Sequence, residues 1–347
     1  MLRYLTAGES HGEAVMAILE GLPGGLRVDK QRIDQDLARR QAGYGRGERM
    51  RLESDKAEIL CGLHKGKTIA SPVGILIRNK DFSLDRQAEI LNPRPGHADL
   101  AGLLKYGFSG ARPVLERASA RSTAAVVAVG AIGKIFLDEF AIEISSRVLN
   151  IGGKTTENER RKAIDAAKSK GDSLGGVFEL IIKGVPCGLG SYVQFDRRLN
   201  ARLSYALMSI PGIKAVEIGL GFGYGYKSGS QAHDVICYSK DKGYYRKTNN
   251  AGGIEGGISN GEDIVIRCCM KPIATLAKPL ASVDIKTKKA VLASIQRADT
   301  CAVEAAGVVA EAVSALEIAD CLLEKFGGDC LADIKQAFRA YLKRISQ

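Results

Sequence analysis

The feature that most constrains the fold is a pair of long apolar segments rich in alanine and glycine. Residues 116 to 140 read ERASARSTAAVVAVGAIGKIFLDEF, and residues 301 to 326 read CAVEAAGVVAEAVSALEIADCLLEKF. Apolar residues occupy most faces of both segments, which predicts helices buried in the core. Because the distance between packed helices depends on the side chains at their contact, small residues let two helices approach closely. The sequence therefore predicts close helix packing at the centre of the molecule.

The charge and length of the apolar segments argue against a membrane protein. Glu304, Glu311, Glu317 and Asp320 interrupt the second segment, and no run of about 18 apolar residues is free of charge or glycine. The first residues, MLRYLTAGESHGE, lack the basic and apolar regions of a secretory signal. We therefore expect no membrane span and a cytoplasmic location.

The remaining periodic segments predict strands packed on the buried helices. Residues 28–41 place apolar side chains on one helical face after an aspartate that can cap a helix, which predicts a first helix. Runs typical of β-strands, separated by glycine-rich turns, cover residues 176–185, 214–223 and 262–270. No linker rich in proline or serine divides the chain. We therefore predict one α+β domain over residues 1–347, and a weak two-fold relation between its halves stays open.

The cysteines do not form the spacings that zinc sites use. There is no C-x-x-C motif and no alternation of cysteine with histidine. We expect buried free thiols and no metal site. The eight cysteines are Cys61, Cys187, Cys237, Cys268, Cys269, Cys301, Cys321 and Cys330.

Residues Gly8 to Gly12, GESHG, match the G-x-S-x-G pattern of a serine hydrolase. In that class the serine lies on a strand-to-helix turn in the middle of a sheet, and an earlier strand supplies the oxyanion-hole loop. Only seven residues precede Gly8, which leaves no room for that earlier strand. We therefore do not expect Ser10 to be a nucleophile.

Two glycine-rich stretches resemble nucleotide-binding motifs but do not satisfy them. Gly62 and Gly66 are separated by three residues, whereas a P-loop requires four. This stretch predicts a turn between strands with His64 exposed. Residues 219–230 never match G-x-G-x-x-G, so a Rossmann dinucleotide site is not supported.

The net charge of +11 is concentrated in arginines beside glycines, in RRQAGYGRGERMR and ARPVLERASAR. A planar guanidinium binds both oxygens of a phosphate or carboxylate, and glycine lets the backbone approach the ligand. Lysine-rich tails are absent, and aromatic residues that could stack on bases are few. The pattern favours small anionic substrates over nucleic acid or a membrane surface.

Two of the four histidines, His11 and His97, lie in segments rich in glycine and proline. Arg94 and Asp99 flank His97, and a histidine beside an arginine-held phosphate can protonate a leaving oxygen. The alternative, a histidine that only bonds a backbone carbonyl, stays open for both. The support for His233 is weaker.

Residues 249–262, NNAGGIEGGISNGE, contain five glycines shortly before Lys271. A flexible surface hairpin explains this composition. A second interpretation is a glycine platform against which a planar, phosphorylated ligand could lie.

Together these stretches resemble the chorismate synthase family. Its signature segments appear in order as GESHG, RRQAGYGRG, RPGHAD, LERASAR, NNAGGIEGGISNGE, MKPIATL and RADTCAVEAAGVVAEA. The resemblance covers nearly the whole chain. It implies an α+β fold in which a central layer of long helices is sandwiched between antiparallel β-sheets, assembled as a homotetramer.

The resemblance also implies a reaction and its cofactor. Members of the family eliminate phosphate from 5-enolpyruvylshikimate 3-phosphate, with loss of a ring hydrogen in a 1,4 relation, to give chorismate, the last common step of aromatic amino acid biosynthesis. They use reduced FMN without net redox change. We expect an external flavin reductase, with NADPH only as an indirect reductant. A bifunctional form with its own NADPH:FMN reductase activity is the alternative.

By position in the family motifs, three residues take catalytic roles. The resemblance implies that His11 protonates the reduced flavin, His97 assists departure of phosphate, and Asp299 helps the flavin N5 to accept the substrate hydrogen. The arginines around substrate or NADP anions are Arg40, Arg46, Arg51, Arg94 and Arg121. The flavin contacts are Arg117, Ala118, Ser119, Pro211, Gly212, Gly256, Lys271, Pro272, Ile273, Ala274, Thr275 and Arg297.

The sequence departs from the family pattern at a few positions. Gln41 and Ala42 replace Arg-Pro, Leu220 replaces an aspartate, and Ala118 and Ser122 replace serine and glutamate. None of these changes removes an expected proton carrier. The change at Leu220 leaves the conformation of the following loop open.

Overall fold

A computed structural model describes residues 1–47, 54–241, 243–296 and 299–346 as a combination of helices and antiparallel strands. The helices are α1 (Lys30–Gln41), α2 (Asp99–Tyr106), α3 (Arg112–Ala118), α4 (Thr123–Asp138), α5 (Glu157–Ser169), α6 (Leu199–Met208), α7 (Gly229–Ala232), α8 (Val303–Phe326) and α9 (Leu331–Ile345). The strands are β1 (Arg3–Ala7), β2 (Ala14–Glu20), β3 (Glu58–Cys61), β4 (Leu63–His64), β5 (Lys67–Thr68), β6 (Val73–Arg78), β7 (Glu143–Ile151), β8 (Gly176–Lys183), β9 (Ile213–Ile218), β10 (Ile236–Ser239), β11 (Gly243–Arg246), β12 (Ile254–Glu255), β13 (Ile258–Ser259), β14 (Ile264–Met270), β15 (Ala281–Val283) and β16 (Ala290–Leu292).

Two four-stranded antiparallel sheets enclose the central helices. The first sheet has the order β1-β2-β6-β3 and the second has the order β7-β8-β14-β9. Helix α4 packs on the first sheet and α8 packs on the second, and the two helices contact one another. The expected architecture, a helical layer between antiparallel sheets, is confirmed.

Helices α4 and α8 pack side by side and run in the same direction. Gly130 lies against Ala312, and one turn later Gly133 lies against Ala315. A Cβ atom on Gly130 would come within 2.4 Å of the Ala312 Cβ, so only a glycine fits at this contact. The close packing predicted from the two small-residue segments is therefore present.

One cluster of buried apolar side chains joins both halves of the chain. It includes Ile132 and Phe136 of α4, Ile75 of the first sheet, Phe178 of the second sheet and Ala312 of α8. A contiguous core of this kind is the arrangement expected of a single domain.

The segment 116–140, predicted as one helix, is broken at Ser119. Helix α3 ends at Ala118, Ser119 is extended with φ −65° and ψ 143°, and a short 3-10 turn over Ala120–Ser122 precedes α4. The Ser119 side chain accepts a hydrogen bond from the Arg121 backbone N–H. Helix periodicity does not reveal this break, because a local side-chain hydrogen bond replaces the helical one.

The other predicted elements agree with the structure except at one strand end. Helix α1 begins after Asp29, whose side chain accepts a hydrogen bond from the Gln31 N–H. The strand predicted over 214–223 ends at Ile218, because Gly219 and Gly221 adopt positive φ and a 3-10 turn follows. The turn at 62–68 joins β4 to β5, and His64 is exposed as predicted.

The cysteines are free, but the prediction that they are buried is wrong for most of them. Cys268, Cys301 and Cys321 are buried, and the other five are partly or fully exposed. The three fully exposed thiols are Cys61 in the edge strand β3, Cys187 in a loop and Cys330 just before α9.

The glycine-rich segment 249–262 contains the β12–β13 hairpin.

Among the described residues, the segment 112–138 is the one helical stretch long and apolar enough to cross a membrane. Most of its apolar window is buried inside the protein, and its backbone leaves the α-helix at Ser119. A helix buried in the core of a protein can have the same length and apolar composition as a membrane-spanning helix. Its position between a sheet and α8 accounts for its apolar character.

Two glycine-to-alanine substitutions test the close helix contact. Gly130→Ala adds a methyl group that overlaps Ala312, whereas in Gly133→Ala the nearest atom lies at 3.3 Å. We expect Gly130→Ala to lower the free energy of unfolding by about 1–3 kcal/mol, because overpacking outweighs the gain in helix propensity. Urea unfolding followed by far-UV circular dichroism measures the difference. Equal stability of the two variants would contradict the packing described here.

Candidate active site

A cavity of about 510 Å³ opens at the end of the molecule where α4 and α8 begin. The β1–β2 loop contributes His11, the end of α1 contributes Arg40, and the break before α4 contributes Ser119. The loop after β14 adds Lys271, and the residues before α8 add Asp299. Segments that are distant in sequence therefore meet at one site.

The GESHG segment is a loop between two antiparallel strands rather than a hydrolase elbow. Gly8 has φ +102°, and a Cβ there would lie 2.3 Å from the Ala14 carbonyl oxygen, so the loop requires glycine. No helix follows the loop, since β2 starts at Ala14. The Ser10 hydroxyl is buried and accepts a hydrogen bond from the Ser119 hydroxyl at 3.0 Å. Ser10 thus lacks the setting of a nucleophile.

Both central helices direct their N-termini toward the cavity. The N-cap residues Ser122 and Ala302 make no side-chain hydrogen bond to the first turn of α4 or α8. A helix N-terminus carries partial positive charge and N–H groups without helical partners, which favours nearby anions.

The His11 side chain is paired with Glu116 of α3. The His11 Nδ1 lies 3.0 and 3.1 Å from the two carboxylate oxygens, and the His11 backbone N–H donates to Oε2 at 2.8 Å. The Glu116 side chain is only 1% exposed. Burial alone raises the pKa of Glu116. The hydrogen bonds from His11 and the charge of Arg112 have the larger, opposite effect, so the pKa lies below its ordinary value.

The His97 side chain is paired with Asp99 in a similar way. The His97 Nδ1 lies 2.6 Å from Oδ1, and Arg94 donates to the same carboxylate through Nε at 2.8 Å and Nη2 at 2.9 Å. Burial alone would raise the pKa of Asp99, but bonds from His97 and Arg94 hold it well below 3.8. In both pairs the carboxylate holds the Nδ1 side of the ring, and Nε2 is the second site that can carry a proton. At His97 the Arg94 Nη2 lies 3.1 Å from Nδ1 and 3.4 Å from Nε2.

Asp55 holds two buried arginines beside the cavity. It accepts from Arg40 Nη2 at 2.9 Å and from Arg121 Nη1 at 2.6 and 2.8 Å. Gln41, a departure from the family pattern, accepts a hydrogen bond from the Asp55 backbone N–H. Burial lowers the pKa of Arg40 to about 10 despite the Asp55 carboxylate, and the charges of Arg121 and Arg46 act in the same direction.

Arg46 and Asp299 form an ion pair in the cavity lining, where Arg46 Nη1 lies 3.1 Å from Asp299 Oδ2. Asp299 also accepts from the Gly47 backbone N–H at 2.6 Å. Within the described part of the chain, the Nε atoms of Arg40 and Arg46 are buried and have no hydrogen-bond partner. Buried polar atoms are normally satisfied, so these two are exceptions.

Positive charge predominates among the described residues that line the cavity. Five lining side chains are cationic and two are carboxylates. The cationic residues are Arg40, Arg46, Arg94, Arg121 and Lys271, and the carboxylates are Asp81 and Asp299. Such a surface suits a ligand that carries several negative charges. Among the described residues, no group of three or more histidine, cysteine or acidic side chains could hold a metal ion.

The structure brings most of the expected site residues together. Those that line the cavity are His11, His97, Asp299, Arg40, Arg46, Arg94, Arg121, Ala118, Ser119, Pro211, Gly212, Lys271, Pro272, Ile273 and Ala274. Thr275 lies behind the lining and accepts a hydrogen bond from Arg94 at 2.7 Å. Arg51 and Arg297 lie outside the described residues.

Two expected flavin contacts are not brought to this cavity. The Arg117 guanidinium is exposed and donates to the carbonyl oxygens of Thr6 and Gly8, so it supports the end of β1. Gly256 lies between β12 and β13 and is not among the lining residues.

Sequence reasoning missed the buried carboxylates and several lining residues. Asp55 lies 15 residues from Arg40 and 66 from Arg121, and Glu116 lies 105 residues from His11, so sequence proximity does not indicate these pairings. The sequence places Asp99 two residues from His97, but it does not show that Asp99 binds both His97 and Arg94. The other missed lining residues are Ser10, Gly47, Asp81, Gln87, Gly96, Ala98, Leu115, Ala120, Met270, Gln296 and Ala302.

The fold and the cationic cavity are typical of an enzyme that binds a small anionic molecule. A family model described as "Chorismate synthase" matches residues 2–323. The chain is 56% identical over 344 residues to the chorismate synthase of Thermoanaerobacter pseudethanolicus, with 98% of each chain covered. It is 53% identical over 347 residues to that of Caldanaerobacter subterraneus subsp. tengcongensis, with 99% of each covered.

A solved crystal structure of a chorismate synthase is also similar. It matches with a TM-score of 0.82 at 42% identity, covering 99% of this chain and 98% of the other. The chain therefore belongs to the chorismate synthase family, and it is a carbon–oxygen lyase.

Removal of the Asp99 charge tests how the site is held together. Asp99→Asn leaves the Arg94 guanidinium buried without its anion, so we expect a loss of about 3–5 kcal/mol in the free energy of unfolding at neutral pH. Because the pKa of Asp99 is lowered in the folded protein, its stabilisation is present above the ordinary value of 3.8 and is lost as pH falls. The difference between wild type and variant should therefore shrink below about pH 5.

Urea unfolding at a series of pH values measures this difference. A cost for Asp99→Asn that stays constant or grows as the solution is acidified would contradict the assignment.

Proposed function

We propose that this enzyme eliminates phosphate from 5-enolpyruvylshikimate 3-phosphate, with loss of a ring hydrogen in a 1,4 relation, to form chorismate. The observation that supports this most directly is the combination, in one cavity, of excess cationic charge with two histidine–carboxylate pairs. The substrate carries one phosphate and two carboxylates. Burying these anions in one cavity without arginines to pair with them would cost too much desolvation free energy.

We propose reduced FMN as the cofactor, and the residues present fit it. The cationic lining suits the phosphate of the cofactor, and the cavity volume of about 510 Å³ lies within the range of small-molecule sites. Ala118, Ser119, Pro211, Gly212 and the run 271–274 would hold the flavin. When bound, a reduced flavin supplies electron density to a difficult elimination and recovers it afterwards.

Six charged or titratable side chains of the cavity have roles in this proposal. Arg40, Arg46 and Arg121 bind the substrate anions, assisted by the N-termini of α4 and α8. His97 donates a proton from Nε2 to the departing phosphate, because Asp99 occupies the Nδ1 side. His11 would supply a proton beside the flavin, and Asp299 would assist the flavin N5 in accepting the substrate hydrogen, as their places in the family motifs imply.

The source of reduced flavin and the assembly are part of the same proposal. We infer that an external flavin reductase, with NADPH as indirect reductant, supplies reduced FMN in the cytoplasm, and a bifunctional form is the alternative. We infer a homotetramer from the family. The outer face of the first sheet supports self-association, because Leu5, Met16 and Ile18 are exposed there side by side.

An anaerobic assay tests the reaction. Incubation of the protein with dithionite-reduced FMN and 5-enolpyruvylshikimate 3-phosphate should release phosphate and form chorismate in equal amounts, with no product when FMN stays oxidised. In the same assay, His97→Ala should retain its fold and lose about 10²-fold or more in rate, as expected for a general acid.

Wild-type protein that releases no phosphate under these conditions would refute the proposed reaction. Oxidation of NADPH by the protein and FMN alone, without added reductase, would favour the bifunctional form.

A further inference from the structure

We propose that Glu116 is the positioning residue for His11: its buried carboxylate, bonded to both the backbone N–H and the ring Nδ1 of His11, fixes the ring's orientation and keeps its proton on Nδ1. This inference deepens the proposed function, since it rests on His11 as a proton carrier of the cavity. It adds to the active site a residue that does not line the cavity itself.

Residue 116 connects α3 to the β1–β2 loop at several points. Its backbone carbonyl accepts the Ser10 N–H at 3.0 Å, while its side chain accepts the His11 N–H at 2.8 Å and holds Nδ1 at 3.0 and 3.1 Å. The adjacent residue, Leu115, lines the cavity. Arg117 and Ser119 also bond this loop, and Glu116 adds the bonds to the backbone and ring of His11.

The Glu116 carboxylate is bonded more closely by His11 than by the neighbouring arginine. The nearest cation that bonds it is Arg112, whose Nη1 lies 3.5 Å away, and the Arg112 guanidinium makes shorter bonds, of 2.7 and 3.0 Å, to the Ala88 carbonyl oxygen. By contrast, Asp99 is bonded twice by Arg94. Of the two histidine–carboxylate pairs, the one at His11 thus has less of its negative charge offset by an arginine.

The donors and acceptors determine the tautomer of the His11 ring. An ionised carboxylate only accepts hydrogen bonds, so the Nδ1 that contacts it must carry the proton, and in the neutral ring Nε2 then bears the lone pair. The backbone N–H of His11 is a fixed donor to the other oxygen. Both oxygens of Glu116 therefore act as acceptors in this arrangement.

A glutamine at position 116 reverses this pattern without removing the side chain. Its single amide oxygen must accept the fixed backbone N–H of His11, which directs the amide NH₂ group toward Nδ1. The NH₂ group then takes the Oε1 position, 3.0 Å from Nδ1, while the amide oxygen takes the Oε2 position, 3.1 Å from Nδ1. A proton on Nδ1 would face this second donor, so we expect the ring proton to move to Nε2. Glu116→Gln is therefore expected to switch the His11 tautomer while it keeps the size and most contacts of the side chain.

The matched control is Glu13→Gln, which removes one negative charge two residues from His11. The Glu13 side chain is exposed. Both variants and wild type are labelled with ¹⁵N-histidine. The ring ¹⁵N chemical shifts of His11 are measured at a pH where the ring is neutral. The His11 signals are assigned as those that are missing from the spectrum of a His11→Asn variant. Steady-state kinetics and far-UV circular dichroism are recorded on the same samples.

We expect wild type and Glu13→Gln to show the proton of His11 on Nδ1, and Glu116→Gln to show it on Nε2. We expect kcat of Glu116→Gln to fall about 10-fold to 100-fold, the size of effect seen for partners that orient metal-bound histidines. We expect KM to change by less than about threefold, because Glu116 does not line the cavity. A purely structural role for Glu116 would lower stability without changing the tautomer.

Two results would overturn the inference. One is a wild-type His11 with its proton on Nε2, which needs no folded variant to observe. The other is a folded Glu116→Gln protein that retains the wild-type tautomer or the wild-type kcat. The NMR result does not require turnover, so absence of phosphate release by wild type would count against the proposed function and not against the positioning role.

Discussion

The close, parallel contact between α4 and α8 determines where the rest of the molecule lies. Gly130 and Ala312 bring the two helices together without intervening side chains, and each helix supports one of the two sheets. Because both helices run in the same direction, both begin at the same end of the molecule. The residues just before them, 119–122 and 299–302, therefore meet across one cavity.

Buried carboxylates hold the functional cations and histidines of that cavity in place. Asp55 holds Arg40 and Arg121, Asp99 holds Arg94 and His97, and Glu116 holds His11. None of these three carboxylates lines the cavity. Burying so many charges is costly unless each is paired, and placing the anions behind the lining leaves the cavity surface cationic. The same arrangement that stabilises the protein thus prepares it for anionic ligands.

Periodicity and composition were sufficient to predict the helical core and the main strands, because burial on most faces leaves a clear sequence pattern. They did not predict the break at Ser119, which depends on local side-chain hydrogen bonds. The His97–Asp99 pair lies two residues apart and could be noticed. The Glu116–His11 pair spans 105 residues, and only the assembled fold brings it together.

The central claim is that one cavity at the N-termini of α4 and α8 takes the phosphorylated substrate and reduced flavin together. The most direct test is the absorbance spectrum of dithionite-reduced FMN with the protein, recorded anaerobically as 5-enolpyruvylshikimate 3-phosphate is added. A common cavity predicts a saturable change in the flavin spectrum that depends on the substrate and is lost on denaturation. A flavin spectrum that is the same with and without saturating substrate would contradict the claim.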